Sequence, residues 1–143
     1  MTSSAFWAYG STLQLGDGAT PEVFTSIAEI VELTPPQMSR DEIDVTSHSS
    51  SDGYREFIAG MRDGGEVSFR ANWLPTNATH DGTTGLLETF NDNNTHNWKI
   101  ILPNTLATIS FAGFLTAFEP DTPLEEQGQL SGTIKVSGKP TVA

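Results

Sequence analysis

One segment of the sequence, residues 66–73, alternates apolar and polar side chains without a break. The apolar set is Val67, Phe69, Ala71 and Trp73, and the polar set is Glu66, Ser68, Arg70 and Asn72. Successive side chains of a β-strand point to opposite faces, so this period of two predicts a strand with one buried face. Since a single strand cannot bury that face alone, the segment restricts the chain to folds that contain a β-sheet.

Other segments supply partner strands. Short alternations occur at Leu13 and Leu15, along residues 40–46, and in the series Trp98, Ile100, Leu102 and Leu130, Ile134, Val136. Residues 23–33 partly fit a helix, but their β-branched side chains and the following pair of prolines favour one or two short strands. Residues 109–118 are apolar on both faces, which predicts a central strand covered on both sides.

Only one segment has clear helical spacing. Leu86, Leu87 and Phe90 form one apolar stripe after three capping candidates, Asn77, Thr79 and Asp81. We therefore predict a mainly β fold, a β-sandwich or partly closed barrel of about seven strands with one α-helix. Residues 1–10 are expected to form a flexible N-terminal arm and residues 11–143 a single domain.

Charge and composition exclude several functions. The chain has 18 Asp and Glu against 7 Lys and Arg, a formal net charge of −11, which opposes binding to nucleic acid. It has no cysteine, and therefore no disulfide or thiolate chemistry. No apolar run approaches the ~20 residues of a membrane span. The first residues also lack the pattern of a signal peptide, so no membrane partner is expected.

The densest collection of reactive side chains lies in residues 39–57. Glu42 and Asp44 share one face of a predicted strand, and His48 follows beside three consecutive serines. A hydrolase using Glu42, Asp44 and His48 is one interpretation. The favoured alternative is an exposed strand whose acids keep that face wet and discourage edge pairing, followed by a mobile polar loop. We therefore expect no catalytic residue and no cofactor.

Metal binding and sugar binding are weaker hypotheses. His48, His80 and His96 all lie in polar loop sequence and are expected to be solvated, so no metal site is predicted. A carbohydrate- or receptor-binding β-sandwich would use Trp7, Trp73 and Trp98 as platforms. Trp73 and Trp98, however, lie at core-facing positions of their strands.

Several motifs in order resemble one known family. They are LQLGDG at 13–18, SRDEIDVTSH at 39–48, GYREFIAGMRDGGEVSF at 53–69, FAGF at 111–114, FEP at 118–120 and GTIKVSGKP at 132–140. Together they resemble the tail tube (major tail) proteins of long-tailed, lambda-like bacteriophages. The segments 91–95 and 103–105 depart from the family pattern.

The resemblance implies a structural virion protein and not an enzyme. Such proteins polymerise as stacked hexameric rings, assemble in the host cytoplasm and form the tail tube of the virion. The implied partners are other copies of the chain, the tape measure protein, the tail terminator and the baseplate or tip proteins. DNA passes through the tube without specific binding. A secretion-system tube protein of the same fold is an alternative.

The resemblance also suggests a division of labour along the chain. Residues 40–46 and 66–73 are expected to supply barrel strands, with Glu42, Asp44 and Glu66 facing the lumen. Residues 47–64 are expected to form a projecting loop that contacts another ring or a neighbouring subunit. The candidate contacts are Tyr54, Phe57 and Ile58 as apolar anchors and Arg55 and Arg62 as partners of acids. The alternative is that the three apolar side chains pack on their own subunit.

Overall fold

The computed structural model describes residues 2–143 and is mainly β. The strands are β1 (Thr12–Gly16), β2 (Phe24–Ser26), β3 (Ile30–Thr34), β4 (Ser39–Asp44), β5 (Phe57–Asp63), β6 (Glu66–Asn72), β7 (His96–Ile101), β8 (Thr108–Asp121) and β9 (Gln129–Val142). One α-helix, α1 (Leu86–Asn91), and two 3-10 turns at Ser51–Gly53 and Pro103–Thr105 complete the described elements. The prediction of a mainly β fold with one helix is confirmed.

Seven strands form one antiparallel sheet in the order β2-β1-β7-β8-β9-β6-β3, and β4 and β5 form a separate two-stranded sheet. The large sheet is not closed into a barrel. Its central pair, β8 and β9, is also its longest, with 14 residues in each strand.

The core lies on one face of the large sheet. Val67, Phe69 and Ala71 are buried, as their alternation in β6 predicts. Trp98 and Ile100 on β7 are fully buried, and the Trp98 Nε1–H donates to the Gly113 carbonyl oxygen at 3.2 Å. The same face of β8 and β9 buries Ile109, Phe111, Leu115, Leu130, Ile134 and Val136. The opposite face carries the polar members of each alternation.

The strand β8 is central, as predicted, but it is not covered on both sides. Phe114 points away from the core and is 42% exposed. Phe118 packs against the core because the register with β9 shifts between Leu115 and Ala117. One extra residue at this bulge moves the later side chains to the other face. Apolar residues therefore occupy both odd and even positions of the strand.

The helix is shorter than its capping candidates imply. Residues 77–85 form turns, and α1 begins only at Leu86. The Asp81 side chain accepts hydrogen bonds from the backbone N–H groups of Thr83, Thr84 and Gly85 at 2.9–3.1 Å. These bonds lower the pKa of Asp81 below its ordinary value of 3.8. A carboxylate bonded in this way stabilises a turn in place of a first helical turn.

His80 corrects the prediction of three solvated histidines. Its side chain is 1% exposed and bridges two backbone segments. The Leu74 N–H donates to Nδ1 at 3.1 Å, and Nε2 lies 2.9 Å from the Ala28 carbonyl oxygen. Because Nδ1 accepts a hydrogen bond from Leu74, Nε2 is the nitrogen that donates to the Ala28 carbonyl oxygen.

Candidate assembly surfaces

The hairpin formed by β4 and β5 is the most exposed regular structure of the chain. Every residue of β4 is exposed, and β5 is exposed except at Gly60. The predicted loop over residues 47–64 is therefore shorter in the structure, because residues 57–63 form β5 and only residues 45–56 connect the two strands. An exposed two-stranded ribbon without a covered face is unusual in a monomer and is typical of an interaction surface.

The predicted contact residues, both the apolar anchors and the arginines, lie on this hairpin. Ile43 is paired directly with Ile58, and the two side chains are 47% and 53% exposed. Phe57 and Tyr54 are 48% and 75% exposed. Arg55 and Arg62 are exposed as well. In the isolated chain these apolar side chains therefore remain largely in contact with water.

The connecting loop is held by its own polar groups. The Ser50 hydroxyl donates to Glu56 at 2.7 Å, and the Glu56 N–H donates to the Thr46 hydroxyl at 2.8 Å. Hydrogen bonds from Thr46 also lower the pKa of Asp44 below 3.8. The acids and serines of this segment thus act as acceptors and donors within a turn.

The three residues of the hydrolase hypothesis, Glu42, Asp44 and His48, do not form a catalytic site. His48 is exposed in the loop, and among residues 2–143 neither Glu42 nor Asp44 forms a hydrogen bond or ion pair with it. No group of three or more His, Asp or Glu side chains suitable for a metal ion occurs in the described part of the chain. His96 instead lies 3.3 Å from Asp92, four residues earlier.

The candidate lumen acids lie on two different sheets. Glu42 and Asp44 are on the hairpin, at exposed positions of β4. Glu66 is on the polar face of the large sheet, in register with Lys135 of β9. That these three acids line the lumen stays a prediction.

A glycine pair joins the hairpin to the large sheet. Gly65 has a φ of +77°, and a Cβ at this position would overlap the Gln37 carbonyl oxygen. Asp63 at the end of β5 accepts a hydrogen bond from Lys135 Nζ at 2.8 Å, which lowers the pKa of Asp63 below 3.8. Beside this junction is an open cleft of about 820 Å³ between the base of the hairpin and the end of β9.

The tryptophans do not form a row of sugar platforms. Trp98 is fully buried, and Trp73 is partly buried against the core. Trp7 is 80% exposed and stacks on Tyr9 with ring centroids 5.0 Å apart. Residues 2–10 contain no helix or strand, and the prediction that this arm is flexible stays a prediction. No helix described within residues 2–143 has the length and apolar character needed to cross a membrane.

Similar proteins were found by structure and by family, whereas comparison with curated protein sequences gave no match. A chain from the virion of a native gene transfer agent particle superposes with a TM-score of 0.76 at 16% identity, covering 97% of this chain and 99% of that one. A chain from the tail of an empty gene transfer agent particle, refined with C6 symmetry, gives 0.72 at 19% identity, covering 92% and 95%. A chain from the sheath/tube terminator of an extracellular contractile injection system gives 0.74 at 14% identity, covering 100% and 99%.

These structural similarities establish a shared fold, and the family follows from the sequence. The model of the lambda phage tail tube protein family matches residues 7–143, which is nearly the whole chain and includes the hairpin and all nine strands. The resemblance carried by the sequence motifs is thereby confirmed, and the chain belongs to the lambda phage tail tube protein family.

Proposed function

We propose that copies of this chain form hexameric rings that stack into a tail tube through which DNA leaves the virion. The observation that carries the proposal is the family match over residues 7–143. Similar folds occur in a tail with C6 symmetry and in a sheath/tube terminator, which agrees with a ring-forming subunit. Further partners are the tape measure protein inside the tube and the terminator and baseplate proteins at its ends.

The β4–β5 hairpin is the proposed joint between subunits. Its apolar anchors are Tyr54, Phe57 and Ile58, and Arg55 and Arg62 supply charge. Burying the exposed apolar area of these side chains against another copy stabilises the assembly at about 25 cal/mol per Å². Aromatic and Arg side chains are also the residues that most often dominate the energy of an interface.

The tube wall is proposed to repel DNA. A net charge of −11 per subunit gives an assembled wall many negative charges, with Glu42, Asp44 and Glu66 as the candidate lumen residues. Like charges on the wall and on phosphate keep DNA from adhering during passage. The proposed role is structural and includes no catalysis.

The test uses the double variant F57S/I58S and electron microscopy of negatively stained protein. The unchanged protein at high concentration is expected to form rings or tubes of uniform width. The variant is expected to keep the melting temperature of the unchanged monomer and to lose the tubes, because both side chains are already about half exposed before assembly.

The matched control is V23S/L106S, which removes two apolar side chains that are 60% and 59% exposed outside the hairpin. It is expected to assemble normally. Normal tubes from F57S/I58S would refute the hairpin as the joint. A strictly monomeric unchanged protein under all conditions would refute the tube itself.

A further inference from the structure

The cleft beside the hairpin collects basic residues in a strongly acidic chain. Of the 7 Lys and Arg residues in the sequence, Arg40, Arg62 and Lys139 line this one cleft. Arg40 and Arg62 are directly paired across β4 and β5. Like charges placed opposite each other destabilise a strand pair, so their placement needs another explanation.

These three cations have no ion-pair partner within residues 2–143. The ion pairs of the described chain join Arg70 to Glu32, Lys135 to Asp63 and His96 to Asp92. Two carboxylates, Asp41 and Asp63, also line the cleft, but Asp63 is already bonded to Lys135. The cleft therefore keeps an excess of positive charge.

Apolar side chains stand beside the cations. Met61 is 84% exposed and Met38 is 61% exposed, and both line the cleft. Methionine is flexible and adapts to an irregular partner surface. The cleft thus suits an acidic segment that carries one apolar side chain.

The chain contains such a segment at the turn between β8 and β9. Residues 119–126, the end of β8 and the turn that follows it, read EPDTPLEE and hold four carboxylates, at Glu119, Asp121, Glu125 and Glu126. Leu124 in the middle of this turn is 100% exposed. No residue of 2–143 forms a salt bridge with any of these four acids.

The turn and the cleft lie at opposite ends of the same strand. The turn precedes β9 at Gln129, whereas Val136, Gly138, Lys139 and Pro140 of β9 line the cleft. Lys139 lies ten positions after Gln129 in the strand, which corresponds to about 33 Å at ~3.3 Å per residue. The turn therefore cannot reach the cleft of its own molecule, and the contact requires a second copy.

We propose that the β8–β9 turn of a neighbouring copy docks in this cleft, with Leu124 between Met38 and Met61 and with Glu125 and Glu126 paired to Arg40 and Arg62. The contact joins one end of a subunit to the other end of the next. Such head-to-tail contacts generate closed rings or continuing stacks. The inference rests on the proposed tube function. Within the tube, it identifies the β8–β9 turn as the segment that binds the cleft at the base of the hairpin.

Charge reversal tests the contact. Variant E125K/E126K has a basic turn and the original cleft, and variant R40E/R62E has an acidic cleft and the original turn. In either variant by itself, the turn and the cleft carry charges of the same sign and repel each other. Each variant is therefore expected to lower the assembled fraction in sedimentation about tenfold or more. Circular dichroism and the melting temperature check that both monomers stay folded.

Mixing the two variants supplies the decisive control. A basic turn then meets an acidic cleft and an acidic turn meets a basic cleft, so alternating copies are expected to assemble. The fourfold variant that carries both changes has the net charge of the unchanged protein and is expected to assemble alone. Assembly of either double variant at the original level, or failure of both the mixture and the fourfold variant, would overturn the docking.

Cross-linking identifies the contact directly. Because the chain has no cysteine, L124C and M61C each introduce a single thiol. Tubes grown from the mixture are expected to give a disulfide-linked dimer that neither variant gives alone. Tubes without this dimer would refute the docking and leave the tube function standing, whereas an unchanged protein that forms no rings or tubes would refute the tube function.

Discussion

Residues 66–73 of the large sheet and residues 40–46 of the β4–β5 hairpin both alternate in sequence but have opposite surroundings. In β6, the alternation places Val67, Phe69 and Ala71 in the core. In β4, the same pattern leaves Ile43 47% exposed. Alternation therefore encodes a strand in both regions, whereas burial depends on whether the same chain supplies a partner layer. In the proposed tube, another copy of the chain would supply the layer that the hairpin lacks.

The largest effect on folding is expected from Trp98 in the sheet. W98A removes a fully buried side chain and its hydrogen bond to Gly113, and we expect a loss of about 3–5 kcal/mol in the free energy of unfolding. Urea unfolding followed by circular dichroism measures it. W7A, at a site 80% exposed, is the control and is expected to change stability by about 0.5 kcal/mol or less. Equal losses from the two variants would contradict the division between core and surface.

A smaller loss is expected from His80, which is buried between the backbone segments at Leu74 and Ala28. H80A leaves the partly buried Leu74 N–H and Ala28 carbonyl without their partners, at a combined cost of about 2–4 kcal/mol. H48A removes an exposed histidine from the hairpin loop and is expected to leave the unfolding midpoint unchanged. If H80A unfolds at the same urea concentration as H48A, the bridging role of His80 is wrong.

The smallest effect concerns the link between the two regions, the Asp63–Lys135 pair. The pKa of Asp63 is lowered in the folded chain, so its contribution to stability is present above its unfolded value near 3.8 and is lost as the pH falls through the folded value. D63N is therefore expected to be slightly less stable than the unchanged protein at pH 7. The difference should shrink as the pH falls below 3.8 and disappear once the Asp63 carboxyl is protonated in the folded chain as well.

Thermal melts of both proteins across this range measure the effect. Because the pair is partly exposed, added salt should shrink the difference at pH 7 as well. A difference that grows as the pH falls would show that the Lys135 contact is not its source.

Predictions from the sequence were correct where burial within the chain was the main determinant. The alternation around Phe69 and the position of Trp98 depend on burial within the chain, and both were predicted correctly. The length of α1 was not, because Asp81 forms a turn where a helix cap was expected. The burial of His80 was not predicted either, because its neighbours in sequence are polar and its two hydrogen-bond partners are backbone groups.

The surfaces proposed for assembly differ in how far the sequence indicates them. The exposed side chains Tyr54 and Phe57 were found because large apolar residues in a polar loop are conspicuous. The cleft with Arg40 and Lys139 was not found as a unit, because these residues are far apart in sequence and only the pairing of β4 with β5 and the end of β9 bring them together. A cleft of this kind depends on residues brought together by the tertiary fold, which no local sequence pattern records.

The bulge in β8 has a consequence for curvature. An extra residue in one strand of an antiparallel pair increases the local twist and bends the strand, and here it lies near Thr116 in the central pair of the sheet. Deleting Thr116 would keep Phe118 on the core face while removing the cause of the bend. If neighbouring sheets meet edge to edge in the proposed ring, the bend of each sheet would contribute to the angle between neighbours. One residue near the middle of β8 would thereby influence how many subunits close the circle.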